Sequence, residues 1–170
     1  SRGLGDVYKR QFMRCVSMAD KLGIYIHIPF CRSKCDYCDF YSLAGRDDRM
    51  DQYQKALLSH IKETAPLAQD FPVDTIYIGG GTPTSLSAAQ LRQLMGTVRD
   101  CFDLSAIVEY TVEAGRPDCT DAEKLAVIKE YGATRISINP QTMKQSTLDL
   151  IGRRHTVEMV KEKYLSLIHI

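Results

Sequence analysis

The sequence predicts an α/β fold made of repeated strand and helix units. Short runs of β-branched and aromatic residues alternate with longer runs whose apolar residues recur at helical spacing. The connections are short, and no low-complexity linker interrupts the alternation. Buried strands in such units require a parallel sheet with right-handed crossovers. Periodicity alone leaves three arrangements open: a barrel, part of a barrel, and a doubly wound sheet.

Four segments have the composition of buried strands. They are rich in β-branched and aromatic residues, glycine or proline bounds them, and a helical pattern follows each one. The predicted strands are residues 24–28, 75–78, 108–112 and 135–138.

Apolar spacing and end signals define the predicted helices. Ser87 and Gln90 have the spacing of a capping box at the start of the second helix. Thr120 and Glu123 have the same spacing before the third helix, which we expect Gly132 to end. The fourth begins near residue 143 and ends at residue 152. The apolar faces of the first two helices are residues 50, 53, 57 and 61, and residues 91, 94, 95, 98 and 102.

Composition narrows the class of protein. The chain has 170 residues, 44% of them hydrophobic, and a net charge of +1, so it can bury the core of one domain. That charge predicts neither a nucleic-acid partner nor a membrane surface. No apolar run is long enough to span a bilayer, and no secretory signal pattern is present. The sequence therefore predicts a cytoplasmic protein.

A cysteine triad, Cys31, Cys35 and Cys38, follows the first predicted strand directly. Structural zinc sites and ordinary iron–sulfur clusters take four protein ligands. Three cysteines at this spacing, without a nearby fourth, indicate a metal site with one open coordination position. Such a position is where a metal carries out chemistry.

Two other interpretations of the cysteines are open on spacing alone. A zinc-binding loop would take its fourth ligand from His27, Cys101 or Cys119. A disulfide framework is disfavoured, because six cysteines in a chain of this length without a secretory signal are typical of a reducing compartment. We interpret Cys15, Cys101 and Cys119 as ordinary thiols.

Ligand-binding residue types follow the later strands. The segment G-G-G-T-P at residues 79–83 lets a ligand approach backbone amides without intervening side chains, although a glycine-rich turn alone is often only a tight turn. Glu113 ends the third strand, Gln141 follows the fourth, and Arg153 lies twelve residues further on. Parallel strands of a barrel end at one rim, where these groups would meet.

The run Y-I-H-I-P-F-C-R-S-K-C-D-Y-C at residues 25–38 resembles the radical S-adenosylmethionine enzymes. Within them it resembles the oxygen-independent coproporphyrinogen III oxidase group and its haem-chaperone relatives. The resemblance implies a [4Fe–4S] cluster on the three cysteines, with S-adenosylmethionine on the fourth iron and a 5′-deoxyadenosyl radical as product. It also implies a (β/α)6 partial barrel of the TIM type, of which this chain holds the N-terminal four βα units, truncated.

The same resemblance implies roles for residues along the rim. Tyr25 would lie against the sulfonium of S-adenosylmethionine, and Tyr37 would lie beside its adenine. His27 either points to this site or is a core histidine. The implied binding residues for S-adenosylmethionine are Tyr25, Tyr37, Gly80, Gly81, Thr82, Glu113, Gln141 and Arg153.

Three segments favour the coproporphyrinogen dehydrogenase branch: residues 113–118, 135–141 and 151–156. The segment at 35–42 is also common in the chaperone branch, and Phe40 stands where the best-known oxidases have another cysteine. The resemblance thus implies conversion of coproporphyrinogen III to protoporphyrinogen IX, with a flavodoxin or ferredoxin as electron donor. A haem-binding transfer protein is the alternative, and a zinc-binding domain is a more remote one.

The two ends of the chain are interpreted as adapter sequence. Residues 6–11 are a translation of GATGTGTATAAGAGACAG, and residues 165–170 are a translation of its reverse complement. This DNA resembles a transposon end used to prepare sequencing libraries. We therefore assign residues 1–11 and 165–170 to adapter, and residues 12–164 to a partial radical S-adenosylmethionine core domain. We expect the chain alone to be inactive, because a cut barrel leaves a strand edge unpaired and the site open to water.

Resequencing the source DNA across both junctions tests this interpretation. We expect the genomic sequence to diverge from the hexapeptide-coding DNA at each end. A continuous genomic read that encodes both hexapeptides would contradict it.

Overall fold

This computed structural model describes residues 21–168. Four strands of the described residues form one parallel sheet in the order β1-β4-β5-β6, and β2 pairs with β3 in a short parallel ladder. The strands are β1 Leu22–Ile28, β2 Phe30–Cys31, β3 Leu43–Ala44, β4 Val73–Gly80, β5 Glu109–Glu113 and β6 Arg135–Ser137. The four strands predicted from the sequence are those of the larger sheet, and no end differs from its predicted position by more than two residues.

Each strand of the larger sheet is followed by at least one helix. The helices are α1 Met50–Thr64, α2 Ala88–Cys101, α3 Ala122–Glu130, α4 Gln145–Leu150 and α5 Val157–Ile168. Within residues 21–168, no helix is both long and apolar enough to cross a membrane. The proposed adapter segment at residues 1–11 lies outside the described residues, as do Cys15, His169 and Ile170.

The sheet has one apolar face and one polar face. Side chains alternate between the two faces along each strand, so the isoleucines of β1 and β4 share one face. Ile28 and Ile78 on that face are fully buried and pack with the apolar residues of α2, such as Leu94. The opposite face carries Tyr25, His27, Tyr77, Thr111 and Glu113. Because the helices cover the apolar face, the polar face is left for ligands.

The capping box at the start of α2 and the glycine at the end of α3 are both formed as predicted. The Ser87 hydroxyl accepts a hydrogen bond from the Gln90 amide at 3.2 Å, and the Gln90 side chain accepts one from the Ser87 amide at 2.9 Å. Gly132 ends α3 in a left-handed conformation with φ of 83°. The Ala133 amide then donates to the Ile128 carbonyl, which closes the helix end.

The predicted start of the third helix is wrong by one residue. Asp121, not Thr120, caps α3, because its carboxylate accepts a hydrogen bond from the Lys124 amide at 2.9 Å. The Thr120 hydroxyl is buried and donates to the Arg116 carbonyl at 3.1 Å. A hydroxyl engaged in the preceding turn does not cap the helix.

We expect Leu94→Ala to lower the free energy of unfolding by about 2 to 5 kcal/mol, because Leu94 is fully buried and its truncation leaves a cavity. Leu67→Ala is the matched control, since 79% of Leu67 is exposed. Urea denaturation followed by circular dichroism measures both changes. Equal stability of the two variants would contradict the described core.

Candidate functional site

The predicted cofactor residues converge at the carboxyl ends of the strands. A cavity of about 230 Å³ lies there, and every predicted site residue except Tyr25 lines it. The predicted residues that line the cavity are Cys31, Cys35, Cys38, Tyr37, Gly80, Gly81, Thr82, Glu113, Gln141 and Arg153. These residues come from five separate segments of the sequence, and the fold brings them together.

The cysteine loop is held at both ends by backbone hydrogen bonds. The Leu43 amide donates to the Pro29 carbonyl, and the Gly45 amide donates to the Cys31 carbonyl at 3.0 Å. Cys31 and Cys35 are buried, whereas Cys38 is partly exposed. All three are free thiols. The loop therefore presents three thiols to one cavity.

The glycine turn after β4 lies directly against this loop. The Gly81 amide donates to the Ile28 carbonyl at 2.8 Å. A β-carbon at Gly81 would lie 2.8 Å from the Phe30 carbonyl oxygen and 2.9 Å from the Cys31 sulfur. The Thr82 hydroxyl lies 3.4 Å from the same sulfur. Glycine is required at position 81 because no side chain fits between the two segments.

Glu113 is held at the rim by two donors from β4. The Tyr77 hydroxyl donates to one carboxylate oxygen, and the Gly80 amide donates to the other at 3.2 Å. Burial, followed by the hydrogen bond to Glu113, raises the pKa of Tyr77 to about 12. Tyr77 therefore remains a hydrogen-bond donor at neutral pH and fixes the carboxylate.

Tyr25 lies beside the cavity rather than in its lining. Its ring stacks on Tyr77 with centroids 6.0 Å apart, and 55% of the residue is exposed. The His27 Nε2 lies 3.0 Å from the Tyr41 carbonyl, which can only accept, so Nε2 carries the proton. His27 Nδ1 then accepts from the Tyr25 hydroxyl at 3.0 Å. His27 thus lies on the polar face and orients Tyr25, and it does not itself line the cavity.

Arg153 and Gln141 belong to the loops after β6. Arg153 is buried and donates through Nη2 to the Gly115 and Asn139 carbonyls at 2.8 and 2.9 Å. Its Nε is buried without a hydrogen-bond partner among the described residues. Gln141 has φ of 62°, a left-handed conformation that is uncommon outside glycine and often marks a functional site.

Sequence reasoning missed two buried residues beside this cavity. Arg116 is 3% exposed, and its guanidinium contacts Cys35. His155 is fully buried, and its Nε2 lies 3.3 Å from the Pro140 carbonyl, next to Gln141. Burial, and then the charge of Arg153, lower the pKa of His155. Arg116 lies three residues after Glu113 and His155 two residues after Arg153, but no motif or periodic pattern singles them out.

Among residues 21–168, no three His, Cys, Asp or Glu side chains form a group that could hold one ion. An iron–sulfur cluster differs from a single ion, because each cysteine binds a different iron and the cysteine sulfurs can therefore lie further apart. The zinc alternative therefore gains no support from the described residues.

The class of this protein is defined by a family match that spans most of the chain. The family model of the Radical SAM superfamily matches residues 25–167. The chain belongs to this superfamily, and this membership implies a [4Fe–4S] cluster and S-adenosylmethionine.

The relatives that match are longer than this chain. The oxygen-independent coproporphyrinogen-III oxidase-like protein HemZ of Bacillus subtilis (strain 168) is 46% identical over 150 residues, which cover 85% of this chain and 30% of the relative. Heme chaperone HemW of the same organism is 42% identical over 132 residues, 77% of this chain and 35% of the relative.

A solved structure confirms the predicted fold class. Coproporphyrinogen III oxidase (HemN) from Escherichia coli, a radical SAM enzyme, matches with a TM-score of 0.80 and 29% identity. The match covers 94% of this chain and 36% of that one. The chain thus has the α/β fold of this core, as part of a TIM-type partial barrel, and spans about a third of the length of these relatives.

We expect Gly81→Ala to abolish most iron binding, because the added methyl group would collide with the Phe30 carbonyl and the Cys31 sulfur. Gly96→Ala in α2 is the control, since its β-carbon would meet Tyr131 at an ordinary 3.5 Å and would favour the helix by roughly 1 kcal/mol. Iron content and absorbance after anaerobic reconstitution measure the effect. Normal iron content in Gly81→Ala would contradict the described packing.

Proposed function

We propose that Cys31, Cys35 and Cys38 bind a [4Fe–4S] cluster and that the adjoining cavity binds S-adenosylmethionine. The observation that carries the proposal is that the three thiols, the glycine turn and the polar rim residues line one cavity. When bound, the cluster and S-adenosylmethionine together supply a 5′-deoxyadenosyl radical that abstracts hydrogen from a substrate. The protein supplies position, charge and exclusion of water.

The residues of this chain fit these groups chemically. The absence of a side chain at Gly81 lets the glycine turn approach the Cys31 sulfur closely, with no methyl group against that sulfur. The Glu113 carboxylate would accept from the amino group of S-adenosylmethionine, beside Gly80, Gly81 and Thr82. The buried Arg153 Nε lacks a partner among the described residues and is suited to an anionic group. Gln141, Tyr37 and Tyr25 would orient the remainder of the molecule.

For the reaction, we propose oxygen-independent oxidative decarboxylation of coproporphyrinogen III. Each of two propionates would lose a hydrogen atom to a 5′-deoxyadenosyl radical and then carbon dioxide and one electron, which leaves a vinyl group and gives protoporphyrinogen IX. The electron released balances the one used to cleave S-adenosylmethionine, so one S-adenosylmethionine per propionate is the net oxidant. The support is the similarity to the coproporphyrinogen-III oxidase-like HemZ and to the coproporphyrinogen III oxidase HemN. We further propose a cytoplasmic protein that receives electrons from a flavodoxin or ferredoxin.

A haem-binding transfer protein is the second candidate. The observation that favours it is the 42% identity to heme chaperone HemW. Phe40 also lines the cavity at the position where the best-known oxidases carry another cysteine. This candidate keeps the cluster and S-adenosylmethionine sites but carries out no porphyrinogen chemistry.

Anaerobic incubation of the complete protein that contains this chain separates the two candidates. We expect dithionite, S-adenosylmethionine and coproporphyrinogen III to give protoporphyrinogen IX and 5′-deoxyadenosine, both measured by chromatography. Tight haem binding without any protoporphyrinogen would favour the transfer protein instead.

The cluster assignment has its own control within the same assay. Cys38→Ser should lose iron and 5′-deoxyadenosine formation, whereas Cys101→Ser should retain both, because Cys101 does not line this cavity. Equal losses in the two variants would argue against the assigned ligands.

A further inference from the structure

We propose that Arg116 is a positioning residue that raises the reduction potential of the cluster through Cys35. The inference rests on the proposed function, because it requires Cys35 to bind a cluster iron. Arg116 lies in the E-A-G-R-P-D segment that follows β5, in a loop that lines the cavity. The proposed binding of the cluster and of S-adenosylmethionine does not use this residue.

The contacts of Arg116 fix its orientation. Its Nη1 donates to the Cys35 sulfur at 3.5 Å, and its Nη2 donates to the Ser33 hydroxyl at 3.2 Å. Its Nε donates to the Asp118 carboxylate at 3.3 Å. Each guanidinium nitrogen therefore has a partner, and the side chain is 3% exposed. Because the planar guanidinium is held at three points, its positive charge is fixed beside the Cys35 sulfur.

A second buried cation reaches the same sulfur. The Arg153 Nη1 lies 3.7 Å from the Cys35 sulfur. Among the described residues, Arg116 is paired with Asp118, and Arg153 has no acidic partner. Buried charges without counter-charge are destabilising. A thiolate at Cys35 would balance the excess positive charge that the two arginines bring to it.

The other two cysteines have different surroundings. The Cys31 sulfur meets the neutral Thr82 hydroxyl at 3.4 Å, and Cys38 is partly exposed. Among the described residues, the charged N–H donors that contact a sulfur of the cysteine triad are those of Arg116 and Arg153, and both contact Cys35. Their charge therefore acts on one of the three proposed ligand sulfurs.

The physical effect on the cluster follows from charge. Reduction adds one electron from an external reductant, without a change in ligation, and makes the cluster more negative by one unit. A positive charge and hydrogen bonds to a ligand sulfur stabilise the more negative form more strongly. Arg116 therefore makes the cluster easier to reduce, and the carboxylate of Asp118 limits that effect.

The test is a redox titration of the full chain after anaerobic cluster reconstitution, with dithionite as reductant and the electron paramagnetic resonance signal of the reduced cluster as readout. We expect Arg116→Gln to lower the midpoint potential and Asp118→Asn to raise it. Arg154→Gln, which removes the same charge from an exposed position, should leave the potential unchanged.

Opposite shifts distinguish this role from a purely structural one, which would only reduce cluster content in both variants. If Arg116→Gln does not retain a cluster, Asp118→Asn decides, and an unchanged or lowered potential in it overturns the proposal. An unchanged potential with weaker binding of S-adenosylmethionine in Arg116→Gln also overturns it. If the unsubstituted chain assembles no cluster, the proposed function fails first, which is a different result from a cluster whose potential does not move.

Discussion

The parallel pairing of β1 with β4 is the constraint on which the site depends. Its register aligns Tyr25 with Tyr77 and Ile28 with Gly80. That alignment sets the start of the cysteine loop beside the glycine turn, and the hydrogen bond from Gly81 to Ile28 continues it by one step. A shift of one residue would move every side chain of β1 to the other face. The polar face and the cavity would then be lost together.

Much of the fold was predictable because it depends on local patterns. The four main strands, the capping box at Ser87 and the helix end at Gly132 follow from composition and spacing. The start of α3 was not predictable, because Thr120 and Asp121 both suit a cap. The choice depends on the Arg116 carbonyl, which engages Thr120 and belongs to the loop before the helix.

The residues of the site also differ in how far the sequence alone indicates them. The cysteines and the glycine turn carry their own motifs, so the sequence alone indicates them. Arg116 carries no such signal, since its importance lies in the distance to a sulfur 81 residues away in sequence. The orientation of His27 also depends on a distant group, the Tyr41 carbonyl. Residues that support a site through long-range contacts require a three-dimensional structure to be recognised.

The hydrogen bonds across the cysteine loop have a consequence for the iron binding proposed for it. Lys34 donates to the Phe40 carbonyl at 3.0 Å, and His27 and Gly45 hold the chain on either side of that contact. None of these contacts uses a thiol, so none has to break when the thiols bind a ligand. Restricting the loop before binding lowers the conformational entropy that binding must remove. The folding of the chain itself therefore supplies part of the order that a binding loop needs.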